Sequence, residues 1–268
     1  MTVTSSQTEG FYDKRYSDEW RQLQDRVFGE VYDDYFGQSS LTSTADYDRI
    51  FGWLSVGSGA QVLDVACGGG APALRLAGKT GCSVTGSDIN ANAVALAQRS
   101  ARQRLSSNSK FVLHDANARL PFTDGSFDAL VCVDALAHIG NHEITLGDWR
   151  RVLRPGGRMV FTDSVLTGPI SNEEIANRSA SGPIVVAPPG YEERCLLAAG
   201  LTLERREDLT PTLERIARKH VEARARHADE LLKLEGQATF ETLNRYRANI
   251  ELLARERRLS HIAFFATR

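Results

Sequence analysis

A chain of 268 residues that is 42% apolar and carries a formal charge of only −2 is long enough for one large globular domain with an appendage, and its composition is neither disordered nor fibrous. Without a basic excess no nucleic-acid or anionic-membrane partner is expected; with no apolar run near 18 residues and no charged-then-apolar leader in MTVTSSQTEG, the chain reads as soluble and cytoplasmic. Cys67, Cys82, Cys132 and Cys195 lie in apolar segments without C-x-x-C pairing, so buried thiols are expected, and neither a disulfide framework nor a metal site.

Residues 1–10 are polar and expected to fray. From Phe11 to Phe36 aromatics are interleaved with acids and arginines, which predicts an amphipathic helical segment, either a cover helix or a lid over a ligand. Ser43 or Thr44 is placed to cap a helix running to Leu54.

Gln61 to Ala77, QVLDVACGGGAPALRLA, reads as strand, glycine turn and helix. Gly68, Gly69 and Gly70 allow positive φ and close approach of a ligand to the backbone, and Pro72 suits the first turn of a helix. A helix start facing a ligand across a glycine turn is a nucleotide-binding geometry.

Short apolar strands and helices then alternate: strand Cys82 to Asp88, helix Asn90 to Leu105, strand Lys110 to Ala116, strand Phe127 to Ala135, helix His142 to Leu153, a turn at RPGG, and strand Arg158 to Asp163. This alternation predicts an α/β fold with a mostly parallel, doubly wound sheet. Beyond Asp163 the pattern loosens into a capped helix at Ser171 or Asn172, a helix ended by Gly200, a strand LTLERREDL, helix from Thr210 to Leu259 in two pieces broken near Gly236, and a final strand. Between Pro211 and Arg258 eleven Lys or Arg face eight Asp or Glu; this mixture predicts a solvated helix pair, with His220 and His227 exposed.

Gly68-x-Gly70-x-x-Ala73 also satisfies the dinucleotide pattern, so an NAD(P)-linked oxidoreductase is a rival reading. Asp88, twenty residues after Gly68 at a strand end, can accept hydrogen bonds from both ribose hydroxyls of either nucleotide. Asp64 separates the two readings: a carboxylate just before the glycines repels a pyrophosphate and suits a ligand bearing an ammonium and a sulfonium. Asp115 and Ala116, ending the next strand, can meet an adenine edge.

VLDVACGGGAPAL, VTGSDI, FVLHDANARLPFTDGSFDALVCVDALAHI and WRRVLRPGGRMVFTD, in that order and spacing over roughly 47–163, resemble the class I S-adenosylmethionine-dependent methyltransferases. The resemblance implies a Rossmann-like seven-stranded sheet whose last strand, around His261 to Ala266, inserts antiparallel. It also implies S-adenosyl-L-methionine as cofactor. By position, Ala66, Gly68 and Gly70 would hold the methionyl end with Asp64 orienting it, Asp88 and Ile89 the ribose, and Asp115 and Ala116 the adenine. Asp134 would line the cofactor and substrate side. The family usually has glycine where this chain has Ala66. The less regular ends resemble a small-molecule subgroup of UbiE and sarcosine–dimethylglycine type, which implies a helical lid over 1–45, a cofactor-binding core over 46–210, a helical cap over 211–259 and a last core strand over 260–268. The N-P-P-Y motif of many nucleic-acid base methyltransferases is replaced by VDAL, so a small organic acceptor is expected, methylated on oxygen, nitrogen or carbon by a monomer or homodimer. The rival in another class is a protein that keeps the cofactor site without transferring, or a cyclase that uses the sulfonium charge.

Methyl transfer from a sulfonium is an in-line displacement on an activated donor, so a general base is needed only for acceptors that must lose a proton early. His138 is the first candidate for that role and His142 the second, with His114 read as structural. Tyr16 and Trp20, with Tyr12, could form an aromatic wall at the substrate; Arg194, or Arg178, could pair with an acidic group on it.

Overall fold

The computed structural model describes residues 16–268. In chain order the elements are α1 (Asp18–Val31), α2 (Thr44–Leu54), β1 (Gln61–Val65), α3 (Ala71–Thr80), β2 (Ser83–Asp88), α4 (Ala91–Gln103), β3 (Ser109–Leu113), β4 (Phe127–Cys132), α5 (His142–Val152), β5 (Leu153–Leu166), α6 (Asn172–Arg178), α7 (Tyr191–Ala198), β6 (Thr202–Asp208), α8 (Thr210–Arg226), α9 (Ala228–Glu235), α10 (Gln237–Arg255) and β7 (Leu259–Thr267). Helix starts follow the sequence signals. Ser43 caps α2 in a reciprocal box with Asp46, the Asn90 side chain caps α4, and Ser171 boxes with Glu174 on α6, each satisfying N–H groups the helix leaves over.

The strands form one seven-stranded sheet in the order β3-β2-β1-β4-β5-β7-β6. β1 pairs in parallel with both β2 and β4, so the chain reverses its direction of winding between them; the crevice beyond the carboxyl ends of β1 and β4 is where such sheets take ligands. β7 runs antiparallel to both of its neighbours, β5 and β6. Both sheet faces are covered. Ile50, Phe51, Leu74 and Val94 pack with Val62 and Val131 on one, and Leu146, Trp149 and Leu196 pack with Leu63, Leu130 and Phe161 on the other. Burial of a side chain such as Leu63 or Leu130, neither with any exposure, contributes roughly 1.5–3 kcal/mol.

A third apolar cluster lies off the sheet. Leu23, Val27, Phe28 and Val31 of α1 meet Leu213, Ile216 and Ala217 of α8 and Ile250 and Leu253 of α10, so the chain's two irregular ends fuse into a single helical layer. Its rim is ionic: Arg26 pairs with Glu230, Arg226 with Glu30, and Lys219 with Asp33.

Four expectations are corrected. The N-terminal helix stops at Val31, and the aromatics Tyr32, Tyr35 and Phe36 lie on the irregular segment after it. RPGG is no separate turn: β5 runs continuously from Leu153, with Gly156 at φ +76° and a register shift between Phe127 and Ala129 on β4. The cap is three helices, because the chain breaks at His227 as well as at Gly236. His220 is buried, its ring edge-on to Phe28 at 4.9 Å. All four cysteines are free and buried, and no helix among the described residues is long and apolar enough to cross a membrane.

Candidate active site

The carboxyl ends of β1, β2 and β4 and the segment after α1 enclose a cavity of about 680 Å³, within the size range of small-molecule sites. Asp64, Ala66, Gly68, Asp88, Ile89, Asp115, Ala116, Asp134, His138 and Tyr16 all line it. Gly70 supports the turn from behind. It stands at φ +79°, and a Cβ there would come within 2.7 Å of Ala97 Cβ, so only glycine lets α3 close on α4.

The turn is held by the next strand. Cys67 N–H donates to the Ser87 carbonyl at 3.0 Å, and Gly68 N–H donates to Asp88 Oδ2 at 2.8 Å. Asp88 Oδ1 accepts from Asn90 N–H at 2.9 Å, so its carboxylate joins the two turns while keeping lone pairs toward the cavity. Ala66 sits at φ +56°, a left-handed conformation that costs a residue with a Cβ about 1–2 kcal/mol.

Asp64 is 5% exposed, and no hydrogen bond or ion pair reaches its carboxyl among the described residues. Burial first, and then the Asp88 charge, push it up to about 8. A buried acid with an unmet demand for a cation, at the mouth of a glycine turn, fits the ammonium of an amino-acid ligand. Burial raises Asp88 as well, against its backbone donors. Beyond β3, Asp115 Oδ1 accepts from Asn117 N–H at 2.9 Å, and Asn117 Oδ1 accepts from Gly140 N–H at 2.8 Å.

Asp134 is the most heavily bonded carboxylate of the site, at φ +57°. Its Oδ2 accepts from Leu41 N–H at 2.6 Å and Thr42 Oγ1 at 3.2 Å; its Oδ1 accepts from Thr162 Oγ1 at 2.7 Å and meets His261 Nε2 at 2.6 Å. Burial opposes ionisation, but the His261 charge and hydrogen bond, helped by Thr162 and Leu41, bring the group down to about 2. Burial lowers His261, but the Asp134 charge and hydrogen bond, joined by the Asp163 and Asp46 charges, together raise it. Thr162 and His261 come from β5 and β7, and sequence reasoning missed both; a titratable ring inside the apolar strand LSHIAFFAT was the available signal.

His138 follows β4 on a short 3-10 turn, with Nδ1 3.2 Å from the Pro183 carbonyl. Only an N–H can donate there, which fixes the tautomer with the lone pair on Nε2. Burial lowers its proton affinity, against the Pro183 bond, so the ring is neutral at pH 7.

Three expected residues lie elsewhere. His142 has no exposure and sits behind the cavity wall, Nδ1 2.7 Å from Glu192 Oε1, because the start of α5 turns it away from the crevice. Trp20 is buried in the helical layer, lining a small void with Phe28, His220 and Arg224. Arg194 is exposed on α7, away from the cavity. Tyr12 lies outside the described residues. Arg21, Gln24 and Tyr35 line the roof; their contribution was hidden in the amphipathic pattern.

Residues 57–207 match the family described as a methyltransferase domain. The chain is 30% identical over 242 residues to 27-O-demethylrifamycin SV methyltransferase of Amycolatopsis mediterranei, covering 86% of this chain and 89% of that one. It is 31% identical over 169 residues to methyltransferase GfsG of Streptomyces halstedii, covering 63% of this chain and spanning only 56% of that protein's length. The solved cyclopropane synthase MmaA2 of Mycobacterium tuberculosis shares the fold at a TM-score of 0.82 and 20% identity, over 99% of both chains.

Proposed function

We propose that this chain, which belongs to the S-adenosylmethionine-dependent methyltransferase family, transfers the cofactor's methyl group to an oxygen, nitrogen or carbon atom of a small organic acceptor. The observation that carries this reading is the unpartnered, buried Asp64 carboxyl at the glycine turn, in the same cavity as a neutral His138. Bound S-adenosylmethionine supplies an electrophilic methyl on a sulfonium. Asp64 pairs with the ammonium, the 66–70 turn receives the methionyl end, Asp88 and Ile89 receive the ribose, and Asp115 and Ala116 flank the adenine.

The acceptor end lies between Asp134, His138 and the roof formed by Tyr16 and Tyr35. With Nδ1–H spent on Pro183, His138 Nε2 takes the proton of an acceptor hydroxyl or amine as the acceptor atom attacks in line. Asp134 is a positioning residue, since its oxygens are committed to Leu41, Thr42, Thr162 and His261. Residues 1–45 serve as lid, 46–210 as cofactor core, 211–259 as cap and 260–268 as the closing strand, and the enzyme works in the cytoplasm.

Methyl-labelled S-adenosylmethionine offered with hydroxylated, amine and enol acceptors tests this directly. 27-O-Demethylrifamycin SV is the first to try, since it names the relative matched over most of its length. Label in the acceptor and stoichiometric S-adenosylhomocysteine are expected. His138→Ala should lower kcat about 10²–10⁴-fold with an acceptor that must lose a proton and leave S-adenosylhomocysteine affinity unchanged; unchanged kcat would remove it from proton transfer.

A further inference from the structure

Behind the cavity, on the far side of the β4–β5 wall, three ionisable side chains from distant parts of the chain converge. His142 opens α5, Asp163 lies on β5 and Glu192 is in the first turn of α7. Their exposures are 0%, 2% and 1%, and one donor atom from each lies within 4.8 Å of the other two. We propose that His142, Asp163 and Glu192 bind one divalent cation of the zinc or manganese type, through an imidazole nitrogen and two carboxylates.

The hydrogen-bond inventory is the first argument. Beyond the His142–Glu192 contact, Asp163 Oδ2, Glu192 Oε2 and His142 Nε2 are buried without a hydrogen-bond partner among the described residues. Each such orphan is costly to bury, and here they gather on three neighbouring residues of metal-ligating type. A bound cation satisfies the two carboxylate oxygens; the alternative is a proton shared between Asp163 and Glu192, which takes up no metal.

Charge is the second argument. Two ionised carboxylates side by side in an apolar wall repel each other and call for a neutralising partner, either a shared proton or a cation. A dication cancels both carboxylates and leaves the imidazole neutral, the form in which it ligates. Glu192 sits where the α7 dipole favours a carboxylate.

The donor set selects the ion. One nitrogen and two oxygens, without sulfur, suit zinc or manganese better than copper(I) or an iron–sulfur cluster. Asp163 also borders a void of about 40 Å³ shared with Ser164, Asp134 and Arg178, roomy enough for a water. The ion would pin the starts of α5 and α7 to β5, next to the acceptor end of the site.

Chelator-dialysed full-length protein, equilibrated with Zn²⁺ or Mn²⁺ and analysed by mass spectrometry of the metal, should hold one ion per chain and melt several degrees higher. Glu192→Gln and Asp163→Asn should each weaken binding at least a hundredfold while S-adenosylhomocysteine binding persists. His227→Ala, at the exposed Glu30–His227–Glu230 group, should leave uptake unchanged. X-ray absorption on the zinc-loaded wild type needs no variant and should show nitrogen and oxygen ligands only, near 2.0–2.2 Å. The proposal is overturned by no stoichiometric uptake, by uptake that survives both carboxylate variants, or by a sulfur ligand.

Discussion

The cofactor end of the sheet and the helical layer above it bury comparable apolar clusters, yet they are built in opposite ways. At the sheet end the functional groups stand at strand termini, and backbone N–H groups of the adjoining turns hold Asp88 and Asp115: Asp88 reaches Gly68 and Asn90, and Asp115 reaches Asn117. In the helical layer charged side chains from different helices hold one another. Glu30 bonds Arg226 and His227, and Arg224 inside the layer makes a two-pronged pair with Glu235 while donating to Asn244. The first arrangement fixes a ligand by backbone geometry. The second fixes a roof whose shape depends on pairs of charges, so acceptor and cofactor should respond differently to the same kind of damage.

The largest effect should come from Arg224→Met. With Glu235 wholly buried, removal of one partner leaves an uncompensated charge and should cost about 3–5 kcal/mol, read as a fall in Tm of roughly 10 °C for a chain of this size. Arg224→Met combined with Glu235→Leu should recover most of that loss. If it does not, the pair carries more than its charge balance and the contrast between the two regions weakens.

Asp64→Asn should break the other side of the contrast. S-Adenosylhomocysteine affinity should fall by about 1.5–3 kcal/mol, the range for a hydrogen bond to a charged group, with Tm held or raised. Burial and the Asp88 charge push the carboxyl up to about 8 in the free protein, so below that pH the ammonium must displace its proton. Calorimetry in buffers of different ionisation heat should therefore record up to one proton released on binding, none in the variant, and affinity rising with pH toward 8.

Ala66→Gly removes a Cβ from a left-handed position and should tighten cofactor binding or raise stability by roughly 1 kcal/mol, less the added freedom of glycine in the unfolded chain. A loss on both measures would mean that the alanine methyl packs usefully against the ligand.

The smallest effect belongs to the ionic rim. The hydrogen bond to Glu30, more than any other contact, raises His227 above its ordinary value. Its contribution to stability is thus fully present below about pH 6.5 and lost as pH rises through the elevated value. Glu30→Gln should flatten that slope, and high salt should make variant and wild type indistinguishable in Tm.

The same contrast governs what could be read in advance. The glycine turn, Asp64, Asp88 and Asp115 were legible because strand ends and turns are local, so a spacing along the chain becomes a position in space. The final strand and the helix caps at Ser43, Asn90 and Ser171 were legible for the same reason. His142 is not: four residues after His138 it shares the same loop-to-helix stretch, but the start of α5 turns it to Glu192. Trp20 had the right side-chain type and the wrong face, since α1 buries it in the helical layer. Thr162 and His261 meet Asp134 only through the antiparallel register that sets Ser164 opposite His261, and no spacing along one segment encodes that. His220 is buried against the expectation of a solvated ring, and Arg224 is buried with it, because a charged helix pair has no marker for the one stripe that faces inward.

The aspartate at the end of β4 is bonded at once to the strap at Leu41 and Thr42 and to the closing strand at His261. For anyone redirecting this protein toward new acceptors, that knot divides the molecule into fixed and negotiable parts. Libraries that touch Asp134, Thr162 or His261 would unfasten both ends of the chain together, whereas variation at Gln24, Asp25 and Tyr35 can reshape the roof while the knot holds.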